Sequence, residues 1–125
     1  MLKLLLVGTG GFIGSVFRYI LSGAVYQIFE KPWFPYGTLA VNIIGCLLIG
    51  FLSGLAENRQ ILSPEMRLTI LIGLLGGFTT FSTFGYESFN LARDSQWIAA
   101  GANIGLQIIL GVGAVWVGHV LSRLI

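Results

Sequence analysis

Three long stretches of this chain carry no charged side chain: Lys31 to Glu57, Arg67 to Glu87, and Asp94 to Arg123. Each can hold a helix of roughly 20 residues, the length that crosses about 30 Å of hydrocarbon. A fourth apolar stretch, from Leu4 to Gln27, is interrupted only by Arg18. The expected spans are therefore about 4–27, 36–56, 67–92 and 97–121. Composition points the same way: 55% of the 125 residues are hydrophobic and only 10% are charged, where a soluble domain carries about 25% charged residues. Seven Lys/Arg and five Asp/Glu cannot cover a water-facing surface of that size, so the solvent for most of it must be lipid. The expected fold is an all-α integral membrane protein of four transmembrane helices, with residues 1–125 forming one transmembrane domain.

The punctuation agrees with these spans. Pro32, Pro35 and Pro64 all fall in the short connections, where a missing N–H does no harm. Trp33, Tyr36 and Trp97 stand at expected helix ends, the place of interfacial aromatics. A single cysteine excludes a disulfide framework and a cysteine-based metal site; Cys46, in mid-span, reads as a small packing residue. The N-terminal MLKLLL lacks a small-residue cleavage site, and its apolar run continues to spanning length, so it does not read as a signal peptide.

The opening KLLLVGTGGFIG imitates a nucleotide-binding turn, with Gly8, Gly11 and Gly14 suitably spaced and Glu30 about 20 residues on. That fingerprint has meaning only inside a βαβ unit, and a spanning segment follows here instead. Gly10 and Gly14, four apart, read as close helix packing. Gly45, Gly50 and Gly54 in the second span, and Gly101, Gly105, Gly111, Gly113 and Gly118 in the fourth, extend the pattern. Lipid supplies no hydrophobic drive between helices, so close backbone approach must supply the contacts. Four short helices enclose little interior of their own, and a homodimer at least is expected.

Charge placement bears on how such copies would be arranged. An even number of spans puts both termini on one side, with Lys3, Arg59, Arg67 and Arg123; the other side has Lys31 and Arg93, and Arg18 lies inside the first span. That is a weak bias under the positive-inside rule. Two oppositely inserted copies would make an antiparallel, dual-topology homodimer.

Polar residues inside the spans mark where function should be sought, because each needs a partner or a water path. They are densest in GLLGGFTTFSTFGYE, Gly73 to Glu87. Adjacent Gly76 and Gly77 weaken a helix, and Thr79, Thr80, Ser82 and Thr83 offer its backbone other hydrogen bonds. The expectation is a third helix broken mid-membrane, whose freed carbonyls suit a hard cation such as Na⁺. A continuous helix with packed glycines and back-bonded threonines is the plainer alternative. Phe81 and Phe84 share one helix face at i, i+3; their positive ring edges can face a small anion. No carboxylate stands beside them to repel it. His119, the sole histidine, lies near the end of the last span without a nearby nucleophile or acid and reads as interfacial packing.

The string GGFTTFSTF, together with Asn42 in GTLAVNIIGCLLIG and Arg18 in GSVFRY, resembles the Fluc-type (CrcB-like) fluoride channels over nearly the whole chain. The resemblance implies a dual-topology homodimer in the cell inner (cytoplasmic) membrane, with two antiparallel pores exporting fluoride passively and so conferring fluoride resistance. It implies a structural Na⁺ at the dimer centre, bound by the backbone carbonyls of Gly76 and Thr79. It makes Phe81 and Phe84 the pore phenylalanines, Asn42 the pore amide donor, and Thr80, Ser82 and Thr83 the polar part of the motif. Arg18 becomes a vestibule residue, with a salt bridge to an acid such as Glu87 as its other reading, and Glu87 the acid that follows the motif. In the fourth span, where the family leads one to expect hydroxyls, this chain has Asn103 and Gln107, which either continue a polar track or bridge helices.

Two rivals come from other classes. A small multidrug-type proton-coupled transporter also has four helices and dual topology, but it needs a carboxylate in the first helix, and this first span carries Arg18 and no acid. A non-transporting structural subunit would not need Asn42, Thr80 and Phe81. No constellation of catalytic residues is present, so an enzyme is not expected.

Overall fold

The computed structural model describes residues 1–29, 33–59 and 62–125, the side chains of Asn58 and Arg59 excepted. Glu30, Lys31 and Pro32, and the Arg59 side chain invoked above for orientation, lie outside the described residues. Among those described, all regular structure is helical. Four helices are long and apolar enough to cross a membrane: Leu2–Ile28, Tyr36–Glu57, Pro64–Arg93 and Trp97–Ser122.

In more detail, α1 is Leu2–Ile28 and α2 is Tyr36–Arg59. The third span is composite. A first turn, α3, Pro64–Arg67, starts on Ser63, whose Oγ accepts from Met66 N at 3.2 Å, with Pro64 in the first turn; proline there forfeits a hydrogen bond that no helix start can make. The backbone then widens into a π-helix over Leu68–Leu74 and returns to α geometry in α4, Leu75–Phe78. Thr79 (φ −83°, ψ 159°) and Thr80 (φ −149°, ψ 116°) are extended, and α5 runs over Phe81–Arg93. A three-residue link, with Ser95 in the left-handed region at φ 61°, leads to α6, Trp97–Ser122.

Two helix pairs organise the bundle. α2 lies along α6, and α1 lies along the π-helix and α4. In both pairs glycine permits backbone-to-backbone contact. A Cβ placed on Gly14 would overlap the Leu74 carbonyl, and one on Gly10 the Thr69 carbonyl. In the other pair, Gly118 faces the Leu47 carbonyl and Gly50 the Val115 carbonyl. Gly101, Gly105 and Gly113 meet nothing within 4 Å, so not every glycine of the fourth span serves packing inside the protomer.

The buried core is thin. Val41, Leu75, Phe78, Ala56, Ala99 and Ala100 are buried, while large apolar side chains such as Phe12, Ile20, Ile109 and Trp116 stand exposed along α1 and α6. That inversion is what lipid-facing helices require.

Candidate functional site

The sequence cluster in the third span becomes a site because of what the interruption does to hydrogen bonds. Thr79 N and Thr79 Oγ1 both reach Leu75 O at 3.0 Å, closing the last turn of α4. In a continuous helix Thr80 N would bond Gly76 O; here it donates to Asn42 Oδ1 at 2.9 Å. Thr83 N, which would bond Thr79 O, donates to Thr80 Oγ1 at 3.2 Å, making Thr80 the N-cap of α5. The carbonyls of Gly76 and Thr79 are thereby released from their helical partners.

Asn42, on α2, reads both backbone groups of one residue: besides accepting from Thr80 N, its Nδ2 donates to Thr80 O at 3.1 Å. The same Nδ2 donates to Gln107 Oε1 on α6 at 3.0 Å. Gly45, one turn along from Asn42, leaves the space that the Thr79 methyl occupies, since a Cβ there would overlap it. The extended pair is thus seated on α2 by one hydrogen-bonding side chain and one missing side chain.

Around this seat lies a cavity of about 370 Å³ lined by Asn42, Thr79, Thr80, Phe81, Phe84 and Gln107, with Gly76 and Cys46 also at its wall. The Phe81 and Phe84 rings are 5.5 Å apart between centroids and meet edge to face at 61°. Phe81 is 83% exposed in the protomer. A second cavity, about 440 Å³, is lined by Arg18, Ser15, Ser22, Tyr26, Thr38 and Thr83. Thr80 borders both. A wider cleft of about 660 Å³ at the start of α1, beside Lys3, Glu65 and Leu68, holds none of the candidate residues.

A family model described as CrcB-like protein, Camphor Resistance (CrcB), matches residues 5–119. The chain belongs to the CrcB-like family. Among curated relatives, a protein of Maridesulfovibrio salexigens is 49% identical over 125 residues, all of this chain and 98% of the relative. One from Nitratidesulfovibrio vulgaris strain Miyazaki F is 43% identical over the full length of both chains. One from Geobacter sulfurreducens is 42% identical over 98% of each. All three are named "Fluoride-specific ion channel FluC". With four helices of spanning length, this CrcB-like chain is a multi-pass membrane protein.

The remaining candidates divide between the site and its surroundings. Thr80 Oγ1 lies 3.0 Å from Thr83 Oγ1 and 3.4 Å from Ser82 Oγ, so the three hydroxyls form one cluster. Arg18 lines the second cavity and makes no ion pair with Glu87; the one salt bridge among the described residues is Arg93–Asp94. Glu87 Oε1 instead accepts from Thr38 Oγ1 at 2.7 Å and Tyr26 OH at 3.3 Å, while its Oε2 is buried without a partner among the described residues. Asn103 is fully buried away from the Phe81 cavity and donates to Ser88 Oγ at 2.9 Å, and Ser88 Oγ donates to Phe84 O at 2.8 Å. His119 Nε2 sits 3.0 Å from Arg123 Nη2 at the end of α6.

Sequence reasoning did not single out Tyr26, Thr38, Ser15 or Ser22. All four are polar groups in otherwise apolar spans, which is a usable signal, but single hydroxyls are common enough in membrane helices that only their convergence on Arg18 and Glu87 distinguishes them.

Proposed function

We propose that this chain is the subunit of a fluoride-selective channel that lets F⁻ leave the cell passively across the inner (cytoplasmic) membrane. The observation that carries the reading is the full-length similarity to relatives named as fluoride-specific channels, together with a cavity in which amides and two phenylalanine rings converge. Fluoride is small and strongly hydrated, so a pore must replace its water by N–H and O–H donors and positive ring edges. In this reading Asn42, Thr80, Phe81 and Phe84, which line one cavity, supply those groups, with the Ser82 and Thr83 hydroxyls clustered beside Thr80 and Arg18 raising the local anion concentration at a vestibule. Glu87 and Gln107 extend the polar path. Hydrogen fluoride enters a cell in acid surroundings as a neutral molecule, ionises inside, and the anion then leaves down its gradient, which gives fluoride resistance.

The working unit in this reading is a dual-topology antiparallel homodimer in which residues 1–125 act as one channel domain and the third span is broken at mid-membrane. Supporting a second copy, the protomer exposes 7941 Å², where a compact soluble monomer of its mass exposes about 6,500 Å²; Phe81 also stands open at the cavity edge. A Na⁺ at the dimer centre fits the donor set. Gly76 O and Thr79 O are neutral hard oxygens without helical partners, and Gly76 has open space beside it; such carbonyls suit Na⁺. The ion would offset their mutual repulsion.

The test is fluoride efflux from liposomes containing the purified protein, with chloride-loaded liposomes alongside. Rapid fluoride loss with chloride retained, abolished by Phe81→Ile, is the expected result. Correctly folded protein that releases no fluoride would overturn the reading.

A further inference from the structure

We propose that the cleft between the start of α1 and the start of the third span binds an acidic phospholipid, whose phosphate meets Lys3 and Arg67 and whose acyl chain lies in the groove behind them. This cleft is apart from the Phe81 cavity, and its occupancy does not depend on whether the chain passes fluoride.

The cleft measures about 660 Å³. Leu2 is the first residue of α1 and Pro64 the first of the third span, so it opens at one face of the membrane. Its chemistry changes with depth. Lys3, Glu65 and Arg67 stand in the first turns of their helices, at head-group level, while Leu6, Leu71 and Ile72 line it roughly 4–8 Å deeper. A phospholipid has the same division, an ionic head joined to an apolar chain.

The cations at the mouth are available. Lys3 is exposed, and the one salt bridge among the described residues is Arg93–Asp94, so neither Lys3 nor Arg67 is paired with Glu65. Arg67 is held in place by backbone: its Nη2 donates to Ala56 O at 2.7 Å and its Nε to Leu62 O at 3.4 Å. Three of the five guanidinium N–H groups remain for an outside acceptor. A phosphate accepts such groups in pairs, and a side chain already fixed loses little freedom on binding. Two cations against one acid leave the mouth net positive, and a basic pocket between spans at head-group level attracts anionic lipid.

A second copy of the chain suits this mouth less well. Inserted in the same sense, it would bring the same two cations against Lys3 and Arg67. Inserted in the opposite sense, it would bring the span ends next to Lys31 and Arg93, where each acid stands beside a base: Glu30 beside Lys31, Asp94 beside Arg93. Neither arrangement offers a surplus of negative charge.

The experiment is native mass spectrometry of the intact protein released from micelles holding equal amounts of phosphatidylglycerol and phosphatidylcholine. It compares the unaltered chain with Lys3→Gln, Glu65→Gln and Ile72→Trp, all at exposed positions, and melting temperature without added lipid checks each fold. The unaltered protein is expected to retain phosphatidylglycerol about fivefold over phosphatidylcholine, the contribution of one net basic side chain near an anionic lipid. Lys3→Gln should bring the two lipids near parity, Glu65→Gln should raise the preference, and Ile72→Trp, which fills the groove, should lower retention of both. Equal retention of the two lipids by the unaltered protein, or an unchanged preference in Lys3→Gln, overturns the proposal. Displacement of the lipid by glycerol phosphate at equal concentration also overturns it and assigns the mouth to a free phosphate. An unaltered protein that retains no lipid, with an oligomer that falls apart in Ile72→Trp, overturns it as well and assigns the groove to a second copy.

Discussion

The third and fourth spans are built from similar residues and behave differently. The fourth contains five glycines plus Asn103 and Gln107, yet α6 runs unbroken from Trp97 to Ser122. The third contains Gly73, Gly76, Gly77 and Gly85, and its helical backbone stops at Phe78 and resumes at Phe81. Glycine therefore does not decide the matter. Each glycine weakens a helix by about 1 kcal/mol, but in lipid the backbone has no water to turn to, so an interruption requires replacement partners. The third span has them in Asn42 from a neighbouring helix and in the Thr79 and Thr80 hydroxyls. The fourth has no threonine, and its two amides are directed outward to Ser88 and Asn42.

The largest effect should follow from removing the external partner. Asn42→Ala strands Thr80 N and O together with Gln107 Oε1, and unpaired buried groups cost about 1–3 kcal/mol each. A loss of about 2–4 kcal/mol is expected, measured by thermal unfolding in detergent, with fluoride efflux abolished. A variant as stable as the unaltered protein would mean that the interruption is held by the threonines alone.

Next comes a glycine that does pack. Gly118→Val would drive a side chain into the Leu47 carbonyl, a backbone atom that cannot swing aside, and overpacking of this kind costs about 1–3 kcal/mol. The loss should appear in the melting temperature, with the α2–α6 pair opening first in hydrogen exchange. Unchanged exchange along α2 would show that the two helices can separate without penalty.

How much of this was legible beforehand depends on the range of the interaction that decides it. The four spans are written in the charge-free gaps, because the cost of burying charge in hydrocarbon is a local property; observed bounds such as Leu2–Ile28 differ from the expected 4–27 by a turn or less. The adjacent glycines direct attention to 76–77, while the extended residues are 79–80, where hydroxyls and Asn42 converge. The π-helix over Leu68–Leu74 has no marker in LTILIGL. Asn103 and Gln107 look alike in sequence, one turn apart, but they meet α5 and α2 respectively, and no local pattern distinguishes them. Arg18 and Glu87 suggest an ion pair by charge alone; Thr38 and Tyr26, remote in sequence, occupy the carboxylate instead.

A smaller effect separates the cap from the clamp. Thr80→Val keeps the shape of the side chain but removes the oxygen that accepts Thr83 N and joins the Ser82–Thr83 hydroxyl cluster. Loss of an N-cap costs about 1 kcal/mol, so a modest drop in melting temperature is expected with the Asn42 contacts intact. A loss equal to that of Asn42→Ala would place the weight of the interruption on the cap.

The smallest effect concerns a glycine with open space around it. Gly105 sits in the continuous α6, and a Cβ there meets nothing within 4 Å in the protomer. Alanine is favoured over glycine inside a helix by about 0.5–1 kcal/mol, so Gly105→Ala should leave stability unchanged or raise it slightly if this face meets lipid. Where Gly118→Val tests a glycine that contacts backbone, this variant tests one that contacts nothing within its own chain. A loss of more than about 1 kcal/mol would therefore mean that something outside the protomer packs there, as overfilling a close contact does. Repeating the measurement across protein concentrations in detergent separates the two sources. A loss that grows on dilution places a second copy against α6, while a loss independent of concentration assigns the contact to lipid or detergent held at that face.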